Sequence, residues 1–376
     1  MSERRRALSL LRRIERESLY ASLALQNETG FVRTLVLGVL RWRSRLDFAI
    51  ESLASRQIEP EVLDVLRLGA YQLLYMDVAR YAAVAETVEL APHRARGFAN
   101  AILRRIADGK VPEPRDLATR TAHPPWLIER WTRTYGEERA ARIAAANQEL
   151  SYPDVIVEGE LPPDAEPSRL VDGIAKLKGS SAGYYGIDEG SAVIAAIAAA
   201  AGLDVLDLAA APGGKTRVMR KRGAEVLSND VSITRLRPLI GVHPRIVVSD
   251  GRRPPFRRRF QTVLLDAPCS ATGTIRKNPE IKWRLRETDL PAFAALQREL
   301  LASALSLADE TVVYSTCSLE REENDAVVAS AAGFEIADVR EYAPPGVLPW
   351  IEDGIVRLTP ESGADGFTAF VLRRIR

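Results

Sequence analysis

The sequence is poor in the residues that build disulfide frameworks and metal sites. Its 376 residues include two cysteines, Cys269 and Cys317, and three widely spaced histidines. Two cysteines are too few for a disulfide framework or a thiolate zinc site, and scattered histidines argue against a histidine metal cluster. We therefore expect no bound metal. The scarcity leaves one question: whether the two cysteines are ordinary buried side chains or catalytic thiols.

Long apolar runs are also missing. The longest, residues 192–203, is alanine-rich and too short to cross a bilayer. The N-terminal residues lack the apolar stretch and cleavage site of a secretory signal. We therefore expect a cytoplasmic protein without a membrane segment. We also expect a monomer. A composition of 46% hydrophobic and 27% charged residues excludes a disordered or fibrous chain.

Net charge is small, but it is unevenly distributed. The whole chain carries a formal charge of +2, whereas residues 1–110 alone carry +5, almost entirely from arginine. Arginine suits bidentate contacts to phosphate better than lysine does. The excess therefore fits either a nucleic-acid interface or a solvated helical surface.

The hydrophobic pattern divides the chain into three predicted domains. Residues 1–110 repeat apolar side chains at helical spacing, which predicts an all-α bundle. Residues 111–187 begin with proline-rich turns and continue with short helical and strand-like stretches, which indicates a small α/β connector. Residues 188–376 alternate strands with helices, as in an α/β fold with a parallel, doubly wound sheet.

The strand ends of this third domain carry its chemistry. Asp207–Thr216 reads DLAAAPGGKT between a predicted strand and a helix, and Asp230, Asp250 and Asp266 each follow a strand. The first stretch lacks the leading glycine of a nucleotide phosphate loop. Ligands of such sheets bind beyond the carboxyl ends of the strands, where an acid can accept hydrogen bonds from a ribose. The pattern predicts one shared site. The alternative for the first stretch is a tight strand-to-helix turn of an unrelated α/β fold.

Both cysteines also follow predicted strands. Cys269 lies in DAPCSATG (266–273) and Cys317 in YSTCS (314–318), each beside hydroxyl side chains. A single free cysteine is most often a buried small hydrophobe. Two cysteines at two strand ends instead favour chemistry. A regulatory disulfide between them is the weaker alternative in a reducing cytoplasm.

These stretches resemble the signatures of a known enzyme family. DLAAAPGGKT (207–216), DAPCSATGTIRKNPEIKW (266–283) and YSTCSLEREEN (314–324) are similar to motifs of the RNA cytosine-5 methyltransferases that use S-adenosylmethionine. DGFTAF (365–370) resembles the closing strand of that family. The resemblance implies a Rossmann-like methyltransferase sheet.

The N-terminal region resembles the RNA-binding helical fold of the antitermination factor NusB. The stretches AVAETVELA (83–91) and GFANAILRRI (97–106) carry this likeness. Together, the two regions are similar to the bacterial ribosomal RNA small-subunit cytosine-5 methyltransferase B family. Methylation of cytosine C5 in 16S ribosomal RNA is therefore the expected function. The alternatives are a related enzyme acting on transfer RNA and a non-catalytic RNA-binding assembly protein.

The resemblance also implies a role for each site residue. Cys317 would attack C6 of the cytosine, Cys269 would assist product release, and Asp266 would contact both cofactor and base. Either Lys282 or Arg276 is a candidate for favouring the Cys317 thiolate, and the sequence does not choose between them. The implied cofactor-binding residues are Ala209, Ala210, Ala211, Pro212, Gly213, Gly214, Lys215, Asp230, Asp250 and Asp266.

The sequence departs from the family pattern at a few positions. Ala209 stands where the family usually has a cysteine. We expect the small alanine to be tolerated, because the residue at this position does no chemistry. The connector is shorter than the RNA-binding connector of the family, which leaves open how this protein binds RNA. The arginines of 257–259 are either a further phosphate contact or a solvated loop.

Overall fold

The computed structural model describes residues 2–179 and 181–375, so Met1, Ser180 and Arg376 lie outside the described residues. The helices are α1 (Glu3–Glu17), α2 (Ala21–Ala24), α3 (Gly30–Glu51), α4 (Pro60–Tyr75), α5 (Arg80–Val88), α6 (Arg96–Ala107), α7 (Leu117–Arg120), α8 (Pro125–Tyr135), α9 (Glu137–Ala146), α10 (Glu189–Ala201), α11 (Gly214–Lys221), α12 (Ile233–Leu236), α13 (Ile281–Arg284), α14 (Leu290–Leu307) and α15 (Asp325–Val328).

The strands form a three-stranded and a nine-stranded sheet. They are β1 (Asp154–Ile156), β2 (Ala165–Pro167), β3 (Ile174–Leu177), β4 (Asp204–Asp207), β5 (Glu225–Asp230), β6 (Ile246–Val248), β7 (Phe260–Asp266), β8 (Ala308–Thr316), β9 (Phe334–Ala337), β10 (Ile351–Glu352), β11 (Ile355–Leu358) and β12 (Phe367–Arg374). No helix within the described ranges is long and apolar enough to span a membrane.

The chain divides into two compact units. The first comprises Met1–Glu149 together with Ile275–Leu285, and the second comprises Leu150–Thr274 and Arg286–Arg376. The predicted domain boundaries after residues 110 and 187 remain a prediction. A segment from the second half of the sequence thus completes the helical first unit.

The first unit is all-helical. Its core is formed by the apolar faces of α1, α3, α4 and α6, and the ring of Trp283 packs against this core. The Ser2 and Thr29 side chains cap the N-termini of α1 and α3 by accepting from backbone N–H groups. The helical pattern predicted for this region is confirmed.

Hydrogen bonds fasten the segment Ile275–Leu285 within the first unit. The Trp283 indole donates to the Leu40 carbonyl at 2.6 Å, and Lys282 Nζ donates to the carbonyls of Arg41 and Ala122 at 2.8 and 2.7 Å. Arg41 in turn donates to the carbonyl of Arg276 at 2.8 Å. These bonds join residues more than 150 positions apart, so local sequence patterns contain no sign of them.

The second unit is an α/β domain, which confirms the predicted fold class. The large sheet has the order β10-β11-β12-β8-β7-β4-β5-β6, and β9 pairs with β12. Strands β4 to β8 pair in parallel, as the alternation of strands and helices predicts. Strands β9 to β12 add an antiparallel extension beside β8. The parallel half therefore brings the carboxyl ends of β4, β5, β7 and β8 to one edge.

Candidate active site

A cavity of about 620 Å³ lies at the carboxyl ends of these parallel strands. Volumes of this size are typical of small-molecule and cofactor sites. The residues that line it are Leu208, Ala209, Ala211, Asp230, Val231, Arg235, Asp250, Gly251, Arg252, Asp266, Ala267, Pro268, Cys269, Leu296, Leu300 and Cys317. Both cysteines and all three predicted acids therefore share one cavity, as the strand-end pattern predicted.

The turn from β4 into α11 is built from small residues. Gly213 caps α11 with φ = 109°, a left-handed conformation that favours glycine. A Cβ atom at this position would lie 2.3 Å from Leu239, which is too close for any side chain. Ala209 and Ala211 line the cavity directly. The turn therefore lets a ligand approach the backbone closely.

The acids at the cavity differ in their surroundings. Buried Asp230 accepts hydrogen bonds from the backbone N–H groups of Ala211 at 3.1 Å and Ser232 at 2.9 Å. Exposed Asp250 is instead paired with Arg252, which donates to its carboxylate from Nε and Nη2. These hydrogen bonds lower the pKa of Asp250 to about 2. Both acids are thus held in place as hydrogen-bond acceptors.

The two thiols lie in contact. Cys269 Sγ and Cys317 Sγ are 3.3 Å apart, and both cysteines are free. The hydrogen bond with Cys317 raises the pKa of the Cys269 thiol well above its usual range, and burial and the nearby Cys317, Glu323 and Asp266 charges act in the same direction. Cys269 therefore holds its proton more tightly than an ordinary thiol does.

Lys215 forms an ion pair with Asp266, which lines the cavity together with both thiols. Its Nζ lies 2.6 Å from Asp266 Oδ2, while Ser315 Oγ donates to Asp266 Oδ1 at 2.9 Å. Burial acts to lower the pKa of Lys215, but attraction to Asp266, with further contributions from Asp207 and Cys317, raises it above its ordinary value. Lys215 is thus held in its charged form beside Asp266, and Cys317 is the weakest of its electrostatic partners.

The prediction that Lys282 favours the thiolate is wrong, whereas the alternative, Arg276, stays a prediction. Lys282 is fully buried, and its Nζ donates to two backbone carbonyls. Burial and the charge of Arg41 lower the pKa of Lys282 well below its ordinary value. Sequence reasoning named Lys215 only as a cofactor contact and missed its ion pair with Asp266. Lys215 is part of the DLAAAPGGKT motif, which was the available signal.

Asp207, at the end of β4, is completely buried below the cavity. Its Oδ2 accepts from Thr216 Oγ1 at 2.7 Å. Burial raises the pKa of Asp207 to about 7, against the opposing effects of the Thr216 hydrogen bond and the Lys215 charge. The ordinary pKa of this group is 3.8. Between pH 3.8 and about 7, the folded protein therefore binds the Asp207 proton more tightly than the unfolded chain does.

We therefore expect Asp207→Asn to change the pH dependence of stability. Asp207 contributes stability below pH 4 that is lost as pH rises through 7, with a slope of about 1.4 kcal/mol per pH unit. The Asn variant has no such titration. The free energy of unfolding of the variant, relative to that of the wild type, should therefore increase from pH 5 to 7. Urea unfolding at pH 5, 6, 7 and 8 measures this difference.

The control is Asp204→Asn. The hydrogen bond from Arg258 lowers the pKa of Asp204 below its ordinary 3.8, so this acid titrates outside the measured range. Its substitution should shift stability by the same amount at every pH from 5 to 8. A constant gap between Asp207→Asn and the wild type would contradict the raised pKa of Asp207.

Comparison with known proteins identifies the family. The family described as "16S rRNA methyltransferase RsmB/F" matches residues 195–347, and the NusB family matches residues 1–108. Ribosomal RNA small subunit methyltransferase B of Escherichia coli O1:K1 / APEC is 32% identical over 379 residues, covering 87% of this chain and 88% of the relative. The chain belongs to the ribosomal RNA small subunit methyltransferase B family. The NusB-like region and the use of S-adenosylmethionine, both predicted from the sequence, are thereby confirmed.

A further relative agrees with this family assignment, and two solved structures share the fold. The probable ribosomal RNA small subunit methyltransferase B of Bacillus subtilis (strain 168) is 29% identical and covers 98% of both chains. The crystal structure of PH0851 has a TM-score of 0.76 at 24% identity, covering 99% of this chain and 98% of that one. NSun6 from Pyrococcus horikoshii with SFG has a TM-score of 0.53 at 19% identity, covering 68% of this chain and 99% of that one. The two solved structures support the fold.

Proposed function

We propose that this protein methylates C5 of a cytosine in 16S ribosomal RNA, with Cys317 as a covalent nucleophile. The observation that supports this most strongly is the pair of thiols 3.3 Å apart in the cavity that also contains the predicted cofactor acids. Such a pair offers one thiolate to attack and one thiol to donate a hydrogen bond. Lys215, which interacts electrostatically with Cys317, is the residue that we assign to place a positive charge near the attacking sulfur.

The chemistry explains why a nucleophile is needed. Cytosine C5 is a poor nucleophile, so it reacts with a methyl donor only after activation. The Cys317 thiolate adds to C6, forming an S–C6 bond, and the electron pair of the C5–C6 double bond becomes available at C5. Covalent catalysis of this kind divides one difficult step into easier ones. S-adenosylmethionine, when bound, supplies the electrophilic methyl group.

Release reverses the addition. The methylated C5 loses its proton to water, the electron pair of that C–H bond re-forms the C5–C6 double bond, and the S–C6 bond breaks with Cys317 leaving as thiolate. Cys269, which retains its own proton, donates a hydrogen bond to the departing sulfur across the 3.3 Å contact. This donation is the role that we propose for Cys269 in product release.

The cavity has the features that S-adenosylmethionine requires. We assign the methionine and ribose side to residues 209–215, the ribose hydroxyls to Asp230 and the adenine side to Asp250. The small side chains of Ala209 and Ala211 leave space beside the backbone, and fixed Asp230 presents a carboxylate to a diol. Asp266 would contact both the cofactor and the target base.

RNA contacts are assigned to the first unit, which is arginine-rich over residues 1–110 and NusB-like. The arginine run 257–259 is a weaker candidate, because Arg258 donates to Asp204 and Arg259 lies 4.0 Å from Asp309. The target cytosine must be unstacked to reach the thiols. We further propose that the protein acts in the cytoplasm as a monomer.

Bisulfite sequencing tests the proposal, because 5-methylcytosine resists the deamination that converts cytosine. Ribosomal and transfer RNA are compared from cells with the gene, without it, and with a Cys317→Ala copy. We expect one cytosine of 16S ribosomal RNA to be protected only where the wild-type gene is present. Protection lost from transfer RNA instead, or from no RNA, would contradict the proposed substrate.

A further inference from the structure

One carboxylate lies beneath both cysteine loops. Glu323 is completely buried, in the turn Arg321–Glu323 that follows the Cys317 loop. Its Oε1 accepts from the Ser270 backbone N–H at 2.8 Å and from Gln297 Nε2 at 3.0 Å. Its Oε2 accepts from Ser318 Oγ at 2.5 Å and from Ser270 Oγ. Four donors therefore converge on this one side chain.

Three of the four donors belong to residues directly beside the thiols. Ser270 follows Cys269 in the chain, and Ser318 follows Cys317. The two serine hydroxyls are also 3.0 Å from each other, and Gln297 donates a second bond to the Pro268 carbonyl at 2.9 Å. Glu323 thus connects the two loops through the residues that position their sulfur atoms.

A buried carboxylate is costly unless its oxygen atoms are fully hydrogen-bonded. Here the four bonds offset that cost and at the same time fix the two loops relative to each other. Removing the carboxylate would leave the Ser270 N–H and two serine hydroxyls without their shared acceptor. The loops would then be joined by fewer bonds, such as that from the Gly273 N–H to the Cys317 carbonyl at 2.9 Å, and the 3.3 Å separation of the thiols would be less firmly held.

We propose that Glu323 is a positioning residue for methyl transfer, holding the loops of Cys269 and Cys317 so that both thiols reach one target base. This inference rests on the proposed function for its catalytic consequence, although the geometry of the loops is testable without RNA. A misplacement of about 1 Å in a reacting group can lower a rate by roughly 10²-fold. Glu323 is not one of the residues that line the cavity, so it acts through the serines.

The test compares Glu323→Gln with Glu322→Gln, a matched change at the half-buried neighbouring acid. Diamide, which oxidises two adjacent thiols to a disulfide and is itself reduced, measures how often the sulfur atoms meet. We expect disulfide formation between Cys269 and Cys317 to slow several-fold in Glu323→Gln and to match the wild type in Glu322→Gln. Equal rates in both variants and the wild type would overturn the proposal.

Methyl transfer supplies the second readout. In a single turnover we expect Glu323→Gln to transfer the methyl group roughly 10²-fold more slowly than the wild type. Its affinity for S-adenosylmethionine should stay within about twofold of the wild type, because Glu323 does not line the cavity. A loss of affinity equal to the loss of rate would overturn a positioning role. If the wild type transfers no methyl to RNA, the proposed function fails, and the diamide rates still decide whether Glu323 holds the loops.

A double variant guards against misfolding of Glu323→Gln. Ser270→Ala/Ser318→Ala removes both hydroxyl bonds to Glu323 but keeps the carboxylate and its bonds from the Ser270 N–H and Gln297. If Glu323→Gln has no cooperative thermal transition, this variant takes its place. We expect the same slowing of disulfide formation, and wild-type rates in a folded double variant would overturn the proposal.

Discussion

Cys317→Ala should abolish methyl transfer, lowering the single-turnover rate by roughly 10⁴-fold or more, as expected when a covalent nucleophile is removed. Alanine cannot add to C6, so C5 stays unactivated even with the methyl donor and RNA both bound. Transfer of a radioactive methyl group from S-adenosylmethionine to 16S ribosomal RNA measures the effect.

Binding measurements separate lost chemistry from lost structure. Cys317 forms part of the cavity wall, but the acids and the turn that we assign to the cofactor are unchanged in Cys317→Ala. Affinity for S-adenosylmethionine should therefore stay within a few-fold of the wild type. Methyl transfer at a comparable rate by a correctly folded Cys317→Ala protein would exclude Cys317 as the nucleophile.

Cys269→Ala is expected to accumulate a covalent protein–RNA adduct. The variant keeps the Cys317 nucleophile, so addition and methylation proceed, but the departing sulfur loses the hydrogen-bond donor that lies 3.3 Å away. Elimination then becomes the slow step, and turnover falls by roughly 10²-fold or more, the scale of a lost general-acid contribution. A denaturing gel shows the adduct as a band of increased mass that nuclease treatment removes.

The double variant Cys269→Ala/Cys317→Ala is the control for the adduct. It should form none, because no thiol remains to attack the base. Turnover of Cys269→Ala at the wild-type rate without any adduct would contradict the release role of Cys269, while leaving the nucleophile untouched.

Much of the site follows from local sequence pattern. Strands of a parallel sheet end at one edge, so the acids and cysteines that follow these strands were expected to lie close together. The structure agrees, because one cavity is lined by Asp230, Asp266, Cys269 and Cys317. The same pattern did not predict the antiparallel strands β9 to β12. Of them, only the closing strand, seen as residues 365–370, had a recognisable motif.

What the sequence does not contain is the tertiary environment of each charge. Lys282 follows the Cys269 motif closely, yet folding buries it in the first unit against the carbonyls of Arg41 and Ala122. Glu323 lies in a run of acids, LEREEN, that is typical of a solvated surface, yet it is completely buried. Both outcomes depend on contacts between distant segments, which composition and periodicity do not encode.

The most direct test of covalent catalysis by Cys317 is to identify the residue that becomes bonded to RNA. RNA with 5-fluorocytidine at the target position keeps its C5 substituent, because fluorine cannot leave as a proton, and so holds the wild-type adduct before elimination. After protease and nuclease digestion, mass spectrometry locates the nucleotide on a peptide. We predict a single modified peptide with the nucleotide on Cys317. A nucleotide on Cys269, or no adduct at all, would contradict the mechanism.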